Sequence, residues 1–172
     1  MMFDLNEIWA YPTDTSFGLG VRADDEKGLQ KLFELKGRGS GQYFSLMCAD
    51  FEMLKRFAKV PENIDKHFFF EKPRTAILSP TSKCPKSLFW PEQKVAFRIS
   101  TIPEVIESIK NQKIPITATS ANFSGESAIF SIKTLREKFG DQIFICDKIP
   151  ELPEREASEI WDFTGEDAKR IR

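Results

Sequence analysis

Short apolar segments recur along this 172-residue chain and alternate irregularly with stretches of helical periodicity. Brief apolar runs bounded by turn residues are typical of strands, whereas apolar residues three and four positions apart indicate helices. The two patterns do not follow the strict strand–helix alternation of a fully parallel sheet. We therefore predict an α/β (mixed α+β) fold with one large, twisted, mixed sheet flanked by helices.

The pattern predicts these elements in order. Strands are expected at 8–11, 43–48, 74–78, 94–99, 114–119, 143–146, 160–163 and 169–171. Helices are expected at 25–36, after a cap at Asp50, at 63–70, from Pro103 onward and at 131–139. Residues 12–20 are interpreted as a turn-rich stretch and residues 79–93 as a long loop.

Length and composition limit the class of protein. At about 150 residues per domain, residues 1–172 predict a single domain. The formal net charge of −1 gives no global basic field. Cys48, Cys84 and Cys146 are odd in number and widely spaced, which excludes a disulfide framework and a zinc pattern. With no signal peptide and no apolar run of about 20 residues, we expect a cytoplasmic protein without a membrane span.

The first candidate site is the turn-rich stretch. Thr13, Asp14 and Thr15 come directly before Gly18 and Gly20. Glycine permits close approach of the backbone to a ligand, and hydroxyl groups beside exposed N–H groups suit carboxylates and phosphates. A polar turn between two strands is the alternative interpretation.

The second candidate is the pair Lys36 and Arg38, at a helix end within a glycine-rich turn. An arginine fork binds oxygen atoms in pairs and a lysine acts as a point charge, so the two can hold a polyphosphate. The alternative is a basic helix end that complements the helix dipole.

The third candidate is the segment 117–125, where an apolar strand runs into hydroxyl residues and Asn122. Ligand sites in α/β proteins often lie at such strand ends. Arg98 ends another apolar strand, as a strand-end cation or as an anion anchor. His67, the single histidine, is interpreted as structural. No catalytic triad, acid–base pair or metal-ligand spacing stands out.

Five segments in this order, YPTDTSFGLG, LKGR, VAFRIS, ITATSANFSGE and ASEIWDFTG, resemble the YrdC-type threonylcarbamoyl-AMP synthase family. The resemblance extends over residues 9–172. Lys36, Arg38, Ser120 and Asn122 match the tetrad of that family. The chain departs from the family pattern at Gly39, at Tyr43 and Phe44, and in the segments 70–75 and 157–159.

The resemblance implies a YrdC-like fold around a concave, positively lined cavity. It implies synthesis of L-threonylcarbamoyl-adenylate from L-threonine, bicarbonate or CO2, and ATP with Mg²⁺, releasing pyrophosphate. Thr15, Arg98 and Ser158 are expected to bind threonine. The tetrad is expected to bind the ATP phosphates and to be catalytic, and Arg172 to close over the nucleotide. No dedicated protein metal site is expected.

The resemblance also implies a downstream transferase complex that modifies tRNA. The chemistry agrees with the lack of a nucleophile, because adenylate formation requires alignment and charge neutralisation rather than a covalent intermediate. The alternative is a catalytically weak relative that binds tRNA or double-stranded RNA through the same cavity. The complete tetrad and the slightly negative net charge argue against it.

Overall fold

The computed structural model describes residues 4–37, 43–145 and 150–172. In these ranges the strands are β1 (Trp9–Pro12), β2 (Phe17–Gly20), β3 (Ser45–Cys48), β4 (Ala58–Lys59), β5 (Arg74–Pro80), β6 (Val95–Ile99), β7 (Ile116–Ser120), β8 (Phe144–Ile145), β9 (Glu159–Asp162) and β10 (Lys169–Arg170). The helices are α1 (Glu26–Leu35), α2 (Phe51–Phe57), α3 (His67–Phe70), α4 (Pro103–Gln112) and α5 (Ile132–Phe139).

The strands form one sheet in the order β10-β9-β5-β6-β3-β7-β2-β1-β8, with β4 paired to β5. The pairs β1–β8, β3–β6 and β5–β9 are parallel, and the other pairs are antiparallel. The sheet is therefore mixed, which confirms the predicted fold class.

Helix boundaries follow local chemistry. Asp50 caps α2 by accepting a hydrogen bond from the backbone N–H of Met53 at 2.8 Å, as predicted. Pro103 begins α4, and Gly140 follows α5 with a positive φ of 50°. The predicted helix at 63–70 is wrong in its first half, because α3 begins only at His67. The carboxylate of Asp65 accepts hydrogen bonds from the N–H groups of His67 and Phe68 at this start.

The turn-rich interpretation of residues 12–20 is wrong in its second half, because Phe17–Gly20 is strand β2, hydrogen-bonded between β1 and β7. The glycines were interpreted as permitting close approach of a ligand, yet Gly20 is required by packing within the protein. A Cβ atom at Gly20 would collide with the carbonyl oxygen of Thr117 and would lie 2.9 Å from the ring of Tyr11. Close packing of strands, and not a turn, explains this glycine.

The core is a continuous cluster of apolar side chains that includes Phe17, Phe44 and Phe97. Cys48 and Cys84 are buried free thiols, and burial raises the pKa of both. Cys146 lies outside the described residues. In the described ranges, no helix has the length and apolar character needed to cross a membrane.

Candidate functional site

One face of the sheet carries a cavity of about 470 Å³. Seven neighbouring strands each contribute at least one residue to its lining. In the order of the strands in the sheet, the lining residues include Ile160 of β9, Thr75 of β5, Arg98 of β6, Ser45 of β3, Ser120 of β7, Gly18 of β2 and Tyr11 of β1. Its volume lies in the usual range for small-molecule sites, about 300–1,000 Å³.

The structure brings most of the predicted site residues to this cavity. The lining includes Thr15, Arg98, Ser120, Asn122, Ser158 and Arg172. Lys36 is not part of the lining, but it donates hydrogen bonds to the lining residues Ser120 and Asn122. Arg38 lies outside the described residues.

The loop between β1 and β2 is held together by the hydroxyl of Thr13. This oxygen accepts hydrogen bonds from the backbone N–H groups of Thr15 and Ser16 at 3.1 and 3.2 Å. It also donates to the carbonyl oxygen of Ser16 at 2.7 Å. The loop therefore presents Asp14 and Thr15 in a fixed orientation.

Arg98 projects from β6 towards that loop. Its guanidinium is ion-paired with the carboxylate of Asp14, and Nη1 lies 3.4 Å from Thr15 Oγ1. Only 12% of the Arg98 side chain and 16% of the Asp14 side chain is exposed. The pairing with Asp14 was not predicted, although Asp14 stands in the quoted motif.

The chain segment around β9 and β10 also contributes to the cavity lining near Arg98. Ser158 Oγ lies 2.9 Å from Thr75 Oγ1, and both residues are buried. Arg172 donates from Nε to the carbonyl oxygen of Ser158 at 3.1 Å. Partial burial and the nearby positive charge of Arg98 both lower the pKa of Arg172. The two guanidinium groups thus create a positive potential that suits an anion.

We call Asp14, Thr15, Arg98, Ser158 and Arg172 the Arg98 cluster. The C-terminal segment that carries Ser158 is anchored by Glu159. The carboxylate of Glu159 contacts Lys72 at 2.6 Å, Arg74 at 3.2 Å and Arg170 at 3.3 Å. The hydrogen bond from Lys72 is the largest of the effects that lower the pKa of Glu159 to about 2. Because Ser158 directly precedes Glu159, this anchor fixes the position of Ser158.

The Lys36 cluster consists of Lys36, Ser120 and Asn122. Lys36 is 1% exposed, and its Nζ lies 2.7 Å from both the carbonyl oxygen of Ser120 and Oδ1 of Asn122. It also contacts the carbonyl oxygen of Asn122. Ser120 Oγ donates to Asn122 Oδ1 at 2.8 Å. The lysine therefore holds the backbone turn that follows β7.

Thr75, Tyr43 and Trp90 are among the cavity-lining residues that sequence reasoning missed. Thr75 belongs to a predicted strand, but nothing in the sequence indicated its partner Ser158. Tyr43 and Trp90 line the cavity as an aromatic pair. Both lie at predicted strand or loop positions without a motif that would have identified them.

The arrangement can bind anions, but among the residues that the structure describes it offers no nucleophile with an adjacent base. His67 is exposed and is not part of the cavity lining. Within residues 4–37, 43–145 and 150–172, no group of three His, Cys, Asp or Glu side chains is placed to hold a metal ion.

Known proteins match the chain over nearly its whole length. The family described as Telomere recombination, which groups Sua5, YciO and YrdC proteins, matches residues 2–172. A threonylcarbamoyl-AMP synthase of Vibrio vulnificus strain YJ016 is 29% identical over 170 residues, which are 95% of this chain and 91% of the relative. That of Pyrococcus abyssi is 32% identical over 140 residues, 80% of this chain and 41% of the relative.

Solved structures show the same fold. Pyrococcus abyssi Sua5 complexed with L-threonine has a TM-score of 0.85 at 29% identity over 97% of this chain, which spans only 50% of that protein. Escherichia coli YciO also has a TM-score of 0.85, at 19% identity, with 96% of this chain and 82% of YciO covered. This chain therefore belongs to the Sua5/YciO/YrdC family.

Proposed function

We propose that this protein synthesises L-threonylcarbamoyl-adenylate from L-threonine, bicarbonate or CO2, and ATP, with release of pyrophosphate. One observation carries the proposal: a single cavity joins the Arg98 cluster, which suits a small anion, to the hydroxyl and amide groups of the Lys36 cluster. The relatives named threonylcarbamoyl-AMP synthase support it, because one of them aligns over 95% of this chain.

The proposed threonine site is the Arg98 cluster. The carboxylate of threonine binds between Arg98 and Arg172, where two guanidinium groups raise the local positive potential. The hydroxyls of Thr15 and Ser158 are positioned for further hydrogen bonds to the amino acid. The P. abyssi Sua5 complex with L-threonine is consistent with this assignment.

The proposed phosphate site is the Lys36 cluster together with Arg38. Ser120 and Asn122 line the cavity, and the buried ammonium of Lys36, hydrogen-bonded to both, adds positive charge there. An oxygen of the threonine carbamate attacks the α-phosphorus of ATP, and the bond from that phosphorus to the bridging oxygen breaks as pyrophosphate leaves. Alignment and neutralisation of the leaving charge supply the rate acceleration.

Mg²⁺ enters with ATP in this proposal and neutralises phosphate charge. Glu126, the one carboxylate residue in the described lining of the cavity, is ion-paired with Lys138 and accepts from the N–H of Phe123 at 3.1 Å. These contacts leave it poorly suited as a metal ligand, so no dedicated protein metal site is proposed.

We further propose that the product supplies a transferase complex that modifies tRNA in the cytoplasm. The alternative function, RNA binding by a catalytically weak relative, is not favoured. The named relatives are synthases, and the net charge of −1 gives no general attraction for a phosphate backbone.

The test is pyrophosphate release from ATP and Mg²⁺, with and without L-threonine and with and without bicarbonate. We expect release that requires both additions in the unaltered protein. We expect at least about a 100-fold loss in Arg98→Ala, because a buried charge-assisted site loses its donor. Arg56→Ala, an exposed arginine on α2, is the matched control and keeps full activity. Folded protein that releases no pyrophosphate under any condition would contradict the proposal.

A further inference from the structure

The cavity contains an aromatic pair that neither the threonine site nor the phosphate site uses. The rings of Tyr43 and Trp90 lie with centroids 6.0 Å apart and planes inclined by 30°. Both residues are partly buried, and both line the cavity. The spacing is typical of two aromatic rings in contact, so a ligand would stack on an outer face of the pair and not between the two rings.

Trp90 is fixed in its orientation before any ligand binds. Its indole Nε1 donates a hydrogen bond to the carbonyl oxygen of Phe44 at 3.3 Å. Its backbone N–H donates to the carbonyl oxygen of Lys94 at 2.7 Å, just before β6 begins. A ligand that packs against this ring therefore loses little free energy in ordering it.

The strand register places the pair beside the Lys36 cluster. Ser45 of β3 is opposite Ala118 of the antiparallel strand β7. Tyr43 lies two residues before Ser45, and Ser120 lies two residues after Ala118, so both occupy the same end of this strand pair. Lys94, whose carbonyl oxygen accepts from Trp90, precedes Arg98 by four residues. At the usual rise of a strand, this separation is about 13 Å.

We propose that Trp90 and Tyr43 form the platform on which the purine base of ATP stacks. The inference rests on the proposed function, in which ATP is the single substrate with an aromatic ring. Neither threonine nor bicarbonate has an aromatic ring that could stack on the pair. Stacking on aromatic side chains is tolerant of base identity, so the pair contributes affinity for the nucleotide and not the choice of base.

Calorimetric binding of three ligands tests this platform: ATP, inorganic tripolyphosphate and L-threonine. In Trp90→Ala, ATP binds about 5- to 150-fold more weakly, whereas tripolyphosphate and threonine bind within about twofold of the unaltered protein. Trp90→Phe, which keeps a stacking face, recovers most of the ATP affinity. Phe70→Ala, a 49% exposed aromatic residue that is not part of the cavity lining, is the matched control and leaves all three affinities unchanged.

Tryptophan fluorescence gives a second measurement that does not need the alanine variant to fold. The chain has three tryptophans, Trp9, Trp90 and Trp161. ATP, but not tripolyphosphate, changes the emission of the unaltered protein, and this change disappears in Trp90→Phe but remains in Trp161→Phe.

Two results would overturn the inference: unchanged ATP affinity in Trp90→Ala, or an equal loss of affinity for ATP and tripolyphosphate. A fluorescence change that persists in Trp90→Phe would also overturn it. Failure of the unaltered, folded protein to bind ATP and threonine is a different result, because it would contradict the proposed function itself.

Discussion

The two clusters of the cavity hold their cations in opposite ways. In the Arg98 cluster the guanidinium reaches the cavity and is balanced by the carboxylate of Asp14. In the Lys36 cluster the ammonium is buried and donates hydrogen bonds to the carbonyl oxygens of Ser120 and Asn122 and to the amide oxygen of Asn122. A cation of the first kind is available to a ligand, whereas one of the second kind first stabilises the protein.

The clusters also differ in how the chain builds them. The Lys36 cluster joins the end of α1 to the turn after β7, both inside the body of the domain. The Arg98 cluster depends on Ser158 and Arg172, which reach the cavity only because β9 pairs with β5. We therefore expect substitutions in the Lys36 cluster to lower the stability of the fold, and substitutions in the Arg98 cluster to weaken threonine binding.

The largest expected effect is that of Lys36→Met, which keeps the side-chain length but removes the ammonium. We expect the free energy of unfolding to fall by about 2–4 kcal/mol, because the carbonyl oxygen of Ser120 and two oxygens of Asn122 lose the hydrogen bonds from a buried ammonium. Urea denaturation measures the change. Lys133→Met, an exposed lysine on α5, is the matched control and changes stability by less than about 0.5 kcal/mol. Unchanged stability together with lost tripolyphosphate binding would show that the ammonium serves the ligand alone.

Arg98→Lys gives the next largest effect and acts on binding. Lysine keeps the positive charge but lacks the planar guanidinium, which can donate two parallel hydrogen bonds to a carboxylate. We expect threonine to bind about tenfold more weakly, with tripolyphosphate affinity unchanged. Calorimetric titration measures both affinities, and Arg56→Lys on α2 is the control. Equal losses for the two ligands would mean that the clusters are not separate.

The smallest expected effect is on pH dependence, through Glu159→Gln. The carboxyl pKa of Glu159 is lowered to about 2, so its ion pairs stabilise the folded state above the ordinary glutamate pKa of 4.5. This contribution is lost as the pH falls from 4.5 towards 2. Melting temperatures measured between pH 6 and pH 2 should therefore fall less steeply in the variant.

A control variant and a binding measurement test whether the pH effect arises from Glu159 itself. Glu137→Gln, an exposed glutamate on α5, should keep the steeper fall of the unaltered protein. At neutral pH, Glu159→Gln should weaken threonine binding more than tripolyphosphate binding, because it loosens the segment that carries Ser158. Identical pH profiles for Glu159→Gln and the unaltered protein would show that Glu159 does not anchor the tail.

Local patterns in the sequence were sufficient for most elements of the fold. Apolar periodicity, Asp50 as a cap, Pro103 at a helix start and Gly140 at a helix end are all short-range signals. Strand β2 was missed because its glycines serve packing against Tyr11 and Thr117, which lie on other strands. Contacts between distant segments leave no such mark in a local pattern.

The sequence by itself determined the mixed α/β class, the family resemblance and the motif residues from Thr15 to Arg172. Only the tertiary structure decided which of these residues share a wall, that Asp14 balances Arg98, and that Lys36 is turned onto carbonyl oxygens. The tertiary structure also brought Trp90 beside Tyr43. Side-chain chemistry is a property of each residue, whereas pairing and burial depend on strand register and sheet order, which arise from the packing of the whole chain.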